Sequence, residues 1–260
     1  MPCPAGTDTT LEIAIVNAAG PTPAGADATF PGGDEPDPLR ELSPELADFL
    51  MVYKFGLDEI STKVTILKEE LAFRSTSSPI EHISPRLKTP ASIAAKARRI
   101  DCPLVFDDLR AQMRDIAGIR IICGFVSDVY TVAEMLTRQR DVRLLQIKDY
   151  VAEPKSNGYR SLHLIVEIPV FLSDRVAPVP VEVQLRTVAM DFWASLEHKI
   201  YYKYDHDVPA HLHDELAAAA QDALRLDQRM ELLYREVRGL GPETSGLAAE
   251  VSAQLRDRLR

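Results

Sequence analysis

Basic residues gather around a short segment whose sequence predicts the start of a helix. Arg86 and Lys88 precede Pro90, a residue type that favours the first position of a helix. Lys96 and Arg99 follow at a three-residue step, which places both on one face of that helix. Free backbone N–H groups at a helix N-terminus add to the positive potential, so the segment suits a polyphosphate ligand. A solvated basic face is the alternative that these residues leave open.

An acidic residue stands at the entrance to a predicted strand. Asp115 precedes the isoleucine-rich run Ile116 to Cys123, which also carries Arg120. A strand-end aspartate can hold Mg²⁺ between phosphate oxygens, whereas a capping or loop aspartate is the simpler alternative.

A later segment, VEVQLRT, places an acid, an amide and a base in one row. Glu182, Gln184 and Arg186 recur at two-residue steps and therefore share one side of a predicted strand. Such a row on an inner strand is hard to explain as core, although a solvated sheet face is the alternative.

The segment KDYVAEPKSNGYRSLH predicts a strand, a loop and a second strand. Asn157 offers an amide to a base edge, Gly158 permits a tight backbone, and Tyr159 offers an aromatic face for base stacking. An ordinary hairpin turn is the alternative.

Composition limits the classes of protein that need to be considered. The chain has 260 residues, 46% hydrophobic and 27% charged, which suits one large domain or one medium domain with appendages. A net charge of -9 argues against a protein that mainly coats nucleic acid, because phosphate-backbone binding relies on lysine and arginine. Any phosphate site must then be a local basic patch.

Cysteine usage and hydropathy bear on location. Cys3, Cys102 and Cys123 are scattered and odd in number, which predicts reduced thiols rather than disulfides or a CxxC metal site. No stretch approaches the ~20 apolar residues that span a bilayer. We expect a cytoplasmic protein without a membrane partner.

The N-terminal part of the chain changes character near residue 40. Residues 1–40 are rich in Ala, Gly and Pro and are predicted to be a disordered or processed tail. From Ser43 to Phe73, apolar residues recur mostly at three- and four-residue steps, which predicts one long amphipathic helix. A Ser- and Pro-rich turn through ISP is expected next, and then a short helix from Pro90 to Arg99.

The remaining elements alternate between strands and helices. Strands are predicted at Ile116 to Cys123, Leu144 to Val151, Ser161 to Val170 and Val179 to Arg186. Helices are predicted from Val129 to about Arg138, from a Thr187 cap toward Tyr204, and from Leu212 to about Val237. The order indicates an α/β (α+β) fold with a mixed sheet flanked by helices.

From about Ser84 to Tyr204, these segments are similar, in this order, to the synthetase domain of the RelA/SpoT family. The strings DYVAEPKSNGYRSLH and VEVQLRTVAMDFWASLEHKIYYKY are too long for chance agreement. Compact small alarmone synthetases look closest. The resemblance implies a nucleotidyltransferase-like sheet and a Mg²⁺-dependent GTP pyrophosphokinase, which moves pyrophosphate from ATP to the 3′-hydroxyl group of GDP or GTP in stringent-response signalling.

The resemblance also implies roles for individual residues. It places adenine between the guanidinium planes of Arg86 and Arg120, and guanine against the ring of Tyr159. Asp115 and Glu182 are the implied Mg²⁺ ligands and catalytic residues, with Glu182 also the base for the 3′-hydroxyl group. The implied ATP-binding residues are Arg86, Lys88, Ser92, Lys96, Arg99 and Arg120. The implied guanine-nucleotide-binding residues are Lys148, Lys155, Asn157, Tyr159, His163, Gln184 and Arg186.

Two features depart from the long members of that family. Gln146 occupies a position at which long relatives carry a charged residue. Long relatives also have a hydrolase domain with a His-Asp metal motif, but the residues before Asp115 contain only His82. We therefore expect no hydrolase activity.

Other residue types that suggest a site have simpler explanations. His206, His211 and His213 lie in a polar stretch and are interpreted as a solvated face rather than a metal site. Trp193 is interpreted as core.

Two other functions stay open. One is a toxin-like relative that pyrophosphorylates tRNA or adenine nucleotides. The other is an inactive nucleotide- or RNA-binding module, which would be expected to lack Asp115 or Glu182, yet both are present. Regulation by RNA is not decided by the sequence.

The C-terminal part is predicted to mediate assembly. We assign residues 41–205 to the synthetase domain and 206–260 to C-terminal helices. The predicted helix there carries more apolar surface than a peripheral helix needs, at Leu216, Ala220, Leu224, Leu232 and Leu233. Because small synthetases that the chain resembles form homotetramers through terminal helices, we expect a homo-oligomer, as a tetramer.

Overall fold

A computed structural model describes residues 42–74, 78–203, 209–239, 245–257 and 259. The predicted tail at residues 1–40, Cys3 and His206 lie outside the described residues. The helices are α1 (Pro44–Arg74), α2 (Pro90–Arg99), α3 (Phe106–Gln112), α4 (Val126–Thr137), α5 (Val188–Lys203), α6 (Ala210–Val237) and α7 (Ser245–Asp257). The strands are β1 (Ile80–Leu87), β2 (Ala117–Cys123), β3 (Arg143–Asp149), β4 (Leu162–Phe171) and β5 (Val176–Thr187).

The strands form one five-stranded sheet in the order β1-β2-β5-β4-β3. In its central strand β5, the side chains of Val179, Val181, Val183 and Leu185 are buried, whereas those of Glu182 and Gln184 are partly exposed. This two-residue alternation lets one strand supply core on one side and a polar row on the other. The prediction of a mixed sheet flanked by helices is confirmed.

The chain forms two compact units. Of the described residues, the first comprises those up to Ser61, Pro85–Ile119 and Glu167–Glu182. Within it, α1 packs closely at Gly56, because a Cβ atom there would lie 2.5 Å from a methyl carbon of Val179. An aromatic pair, Phe49 and Phe106, adds to this core with ring centroids 4.8 Å apart.

The second unit comprises the described residues within Thr62–Ser84, Arg120–Val166 and Val183–Arg260. Trp193 is buried there in a cluster with Ala194 and Ala220. Its indole N–H donates to the carbonyl oxygen of Leu216 at 2.9 Å, which satisfies its polar atom. The interpretation of Trp193 as core is confirmed, and its contacts join α5 to α6.

Two element predictions need correction. The segment around Ile83–Pro85 is part of β1 rather than a turn. Because β1 is an edge strand, the missing N–H of Pro85 need not cost a sheet hydrogen bond. Helix α4 begins at Val126, three residues before the predicted start, since the Asp128 carboxylate accepts the backbone N–H of Phe125 at 3.1 Å.

Two helices, α3 and α7, have no counterpart among the elements predicted individually. Among the described residues, no helix is both long and apolar enough to cross a membrane.

Candidate active site

The predicted basic segment forms the start of α2 and closes on Asp115. The Thr89 hydroxyl accepts the backbone N–H of Ser92 at 3.3 Å and thereby caps the helix. The Nζ atoms of Lys88 and Lys96 lie 3.0 Å and 2.5 Å from Oδ2 of Asp115. Two lysines predicted to bind phosphate are therefore held together by one carboxylate.

The Asp115 carboxyl group is ionised, and both lysine contacts are made by its Oδ2 atom. Burial by itself raises its pKa, but Lys88 and Lys96 outweigh burial and hold the pKa of this carboxyl group below its usual value. Its second oxygen, Oδ1, is buried without a hydrogen-bond partner among the described residues. A buried anionic oxygen of this kind is suited to a cation that arrives with a ligand.

Gly118 on β2 lies between Arg86 on β1 and Glu182 on β5. A Cβ atom at Gly118 would lie 3.9 Å from the carbonyl oxygen of Arg86 and 4.0 Å from the Cβ of Glu182. Strand β2 lies between β1 and β5 in the sheet, so the predicted base and a predicted ATP-binding residue lie on the two strands that flank Gly118. A side chain at Gly118 would begin at van der Waals distance from Glu182.

The residues present fit a Mg²⁺ ion only as a ligand-assisted site. Within the described part of the chain, no three His, Cys, Asp or Glu side chains cluster as metal ligands. Mg²⁺ is commonly held by one or two carboxylates together with substrate phosphates and water. Asp115 and Glu182 are the two carboxylates that the sequence predicts for this role.

The second set of predicted residues surrounds Tyr159 in the β3–β4 loop, residues 150–161. Nη2 of Arg186 donates to the Tyr159 hydroxyl at 2.7 Å, and Nε2 of His163 lies 2.8 Å from the same oxygen. The Lys155 ammonium lies 4.7 Å from the centre of the tyrosine ring. Gln184 accepts a further hydrogen bond from Arg186 at 3.2 Å. The loop and β5 thus form one polar cluster around the aromatic ring.

The amide of Asn157 shapes this loop. Its Oδ1 accepts the backbone N–H of Tyr159, and its Nδ2 donates to Glu197 on α5, both at 3.1 Å. Gly158 has a φ of +86°, a conformation that favours glycine. The side chain of Asn157 therefore orders the turn that presents Tyr159.

Three predicted residues lie apart from the side-chain contacts described above. Arg99 is exposed in the last turn of α2, and Lys148 is exposed on β3 beside Asp149. The Ser92 hydroxyl accepts from Thr89 Oγ1 at 2.9 Å.

His211 and His213 are exposed at the start of α6, as a solvated face requires.

Sequence reasoning missed the buried Asp149, which anchors the β3–β4 loop. Its carboxylate accepts the backbone N–H groups of Val151 and Ala152 and the hydroxyl groups of Tyr130 and Ser252. Burial, followed by the charge of Asp149, raises the pKa of Tyr130. Ser252 lies on α7, so the C-terminal helix is fastened to the start of the loop.

A second missed residue is Asp191 in the first turn of α5. Its Oδ1 accepts from Nη1 of Arg186 at 2.9 Å and lies 3.4 Å from Nη1 of Arg120. The available signal was an acid one helical turn beyond the VEVQLRT segment.

Comparison with known proteins shows which family this chain is similar to. Residues 85–207 match the family model described as a region found in RelA / SpoT proteins. The chain is 47% identical over 201 residues to GTP pyrophosphokinase YwaC of Bacillus subtilis, covering 77% of this chain and 96% of that protein. The chain belongs to the RelA/SpoT family.

Solved structures agree with this membership. The RelA/SpoT chain described here matches small alarmone synthetase 1 from Bacillus subtilis bound to its product pppGpp, with a TM-score of 0.70 at 37% identity, covering 75% of this chain and 99% of that one. The same synthetase bound to AMPCPP matches with a TM-score of 0.64 at 34% identity, with the same coverages. The resemblance found in the sequence is thereby confirmed.

Proposed function

We propose that this chain is a GTP pyrophosphokinase that transfers the β,γ-pyrophosphate of ATP to the 3′-hydroxyl group of GDP or GTP, giving ppGpp or pppGpp and AMP in the stringent response. The observation that carries the proposal is the Lys88–Asp115–Lys96 cluster at the start of α2 in a RelA/SpoT chain. It supplies the charges that a pyrophosphate donor requires.

The donor side binds ATP through cations. Lys88 and Lys96 neutralise phosphate charge, with Arg86 and Arg99 completing the basic set and Arg86 and Arg120 enclosing adenine. Ser92, in the first turn of α2, lies against the phosphates, where free N–H groups favour anions. That AMPCPP, an ATP analogue, is bound by a similar synthetase supports this assignment.

Asp115 and Glu182 would hold Mg²⁺ when ATP is bound. The ion would supply charge neutralisation between phosphate oxygens. Asp115 offers a buried oxygen without a protein donor, while its other oxygen keeps Lys88 and Lys96 in place. The carboxylate thus orients phosphate-binding lysines and provides a metal ligand at once.

Glu182 accepts the proton of the ribose 3′-hydroxyl group. It lies on the central strand β5, whose buried alternate residues fix its direction. Gly118 lies on the neighbouring strand β2, close to the backbone of Glu182. Removing the proton as the oxygen attacks the β-phosphorus is general base catalysis.

The acceptor nucleotide binds to the cluster around Tyr159. The ring stacks on guanine, and the polar and basic groups around it contact base and phosphates. These residues are Lys148, Lys155, Asn157, His163, Gln184 and Arg186. A product complex of a similar synthetase, with pppGpp bound, supports a guanine-nucleotide site in this fold.

The protein acts in the cytoplasm as a homo-oligomer, with a tetramer as the expected form. Its nucleotide substrates and its buried free thiols, Cys102 and Cys123, suit that compartment.

The interface we propose lies on α6 and shares only part of the residues expected from sequence. Leu233 is exposed and stays in it, whereas Ala220 is buried inside its own chain. The exposed apolar residues Leu226, Met230, Leu233 and Val237 instead recur at steps of four, three and four, the spacing of a helix–helix seam. A second copy of α6 offers the same stripe.

Light scattering at micromolar concentration tests this assembly. The wild-type protein is expected to exceed the monomer mass, and Leu233→Glu to reduce it. The exposed control Phe73→Glu should leave the mass unchanged. A monomeric wild-type protein would refute the interface.

A product assay tests the activity. Purified protein with γ-labelled ATP and GDP or GTP should yield a labelled guanine nucleotide and AMP. Adenine nucleotides and tRNA as acceptors test the toxin-like alternative. Release of ADP instead of AMP, or label found only on tRNA, would contradict the proposal.

A further inference from the structure

We propose that Asp191 is a positioning residue that holds one arginine of the ATP site and one arginine of the acceptor site, and so supports binding of both nucleotides. The inference rests on the proposed function for the identity of the ligands. The contacts that carry it involve Arg120 on β2 and Arg186 at the end of β5.

One carboxylate oxygen serves both arginines. Oδ1 of Asp191 lies 2.9 Å from Nη1 of Arg186 and 3.4 Å from Nη1 of Arg120. Two guanidinium groups this close to one oxygen repel each other unless an anion lies between them. Asp191 therefore fixes the separation of the two cations.

The contact with Arg186 extends into the acceptor cluster. The Arg186 side chain is only 7% exposed, which makes its charge dependent on a protein anion. Its Nη2 atom donates to Tyr159 and Gln184. Asp191 thus sets the direction of a guanidinium that in turn holds the proposed guanine-stacking ring.

Helix capping does not explain Asp191. The Thr187 hydroxyl already accepts the backbone N–H of Met190 at 3.1 Å at the start of α5. The Asp191 carboxylate is instead directed at the two arginines. Its contribution to the helix dipole would not require either contact.

The sign of the effect separates positioning from simple charge. Asp191→Asn keeps the shape but removes the anion. If Asp191 only dampened the positive potential, its loss would favour anionic nucleotides and lower both KM values. If it positions the arginines, both KM values should rise by about 10-fold or more, the loss expected for a charge-assisted hydrogen bond.

The experiment measures kcat and both KM values for wild type, Asp191→Asn and Asp191→Glu, together with thermal melting. Asp191→Glu, which restores the charge, is expected to recover at least part of both losses. The control Asp174→Asn removes an equivalent acid from an exposed arginine pair and should change neither KM. Unchanged or lowered KM values in a well-folded Asp191→Asn enzyme would overturn the inference, as would a loss confined to kcat and melting temperature.

Calorimetric titration with AMPCPP and with GDP, each alone, separates this inference from the proposed activity. Weaker binding of both by Asp191→Asn supports the positioning role even if the wild-type protein makes no alarmone. An active wild-type enzyme whose Asp191→Asn variant binds both ligands normally would refute the positioning role and leave the activity standing.

Discussion

Ala220 on α6 lies directly against Gly158 of the β3–β4 loop, since a Cβ atom on Gly158 would stand 2.5 Å from the Cβ of Ala220. Tyr159 packs against the same Trp193–Ala194–Ala220 cluster. Helix α6 therefore supports the loop that presents the proposed guanine-stacking ring. The same helix carries the exposed seam at Leu226 to Val237. The proposed assembly seam and the support of the proposed acceptor site therefore share one element.

Gly158→Ala should destabilise the protein more than Gly239→Ala. Both glycines have positive φ, at +86° and +66°, but among the described residues only Gly158 faces a neighbour at its Cβ position. Strain of about 1–2 kcal/mol applies to both, and overpacking of about 1–3 kcal/mol adds to Gly158. Urea unfolding measures the difference.

The double variant Gly158→Ala with Ala220→Gly serves as the control for this collision. The double variant should regain part of the stability that overpacking removes and none of the stability that backbone strain removes. Equal destabilisation by the two single variants would show that the contact with Ala220 does not constrain the loop.

Tyr159→Ala should raise the KM for the guanine nucleotide and leave the KM for ATP nearly unchanged. Stacking on an aromatic ring contributes about 1–3 kcal/mol per base. Steady-state kinetics with each substrate varied separately provides the measurement.

Two further variants separate the ring from its other contacts. Tyr159→Phe keeps the ring but loses the hydroxyl contacts with Arg186 and His163, so it should be milder than Tyr159→Ala. Tyr159→Leu fills the cluster without an aromatic face and should resemble Tyr159→Ala. Equal losses for ATP and guanine nucleotide would assign the tyrosine to structure alone.

The pH dependence of stability should include a loss as pH rises toward neutrality. The pKa of Asp128 is raised to about 6, chiefly by burial. The charges of Glu231 and Glu81 contribute to the rise, whereas the hydrogen bond from the Phe125 N–H opposes it. The unfolded value of this pKa is about 3.9, so the folded state binds this proton more tightly. The stabilisation that the Asp128 proton contributes is therefore complete below pH ~4 and is lost as pH rises through ~6.

Asp128→Asn should remove that loss because it removes the titrating carboxyl group. The amide oxygen can still accept the Phe125 N–H, so the start of α4 is kept. Unfolding measured from pH 4 to 8 should show a flatter decline for this variant and a gain in stability near neutral pH. Asp141→Asn is a control of opposite sign, because the hydrogen bond from Lys63 lowers the pKa of Asp141. Parallel pH profiles for wild type and Asp128→Asn would contradict the account.

Local patterns predicted most of the fold. The alternation in β5 and the Thr89–Pro90 start of α2 appear as expected, because burial and capping are decided by neighbours in sequence. Strand β1 was missed because its Ser and Pro residues indicate a turn unless the strand lies at a sheet edge.

The missed site residues depend on contacts that are distant in sequence. Ser252 donates a hydrogen bond to Asp149, which lies 103 positions away in the sequence. Asp191 on α5 contacts Arg120 on β2. No local pattern encodes such pairs. The predicted lysines could be recognised by type, but their pairing with Asp115 required the fold.

Product formation with Glu182→Gln, measured alongside thermal melting and AMPCPP titration, tests whether Glu182 is the catalytic base. We expect a folded enzyme whose turnover is abolished, while its affinity for the ATP analogue falls much less, because proton acceptance acts only in the transition state. Glu167→Gln, on the neighbouring strand β4, is the matched control and should retain activity. Near-normal alarmone synthesis by a well-folded Glu182→Gln enzyme would contradict the mechanism.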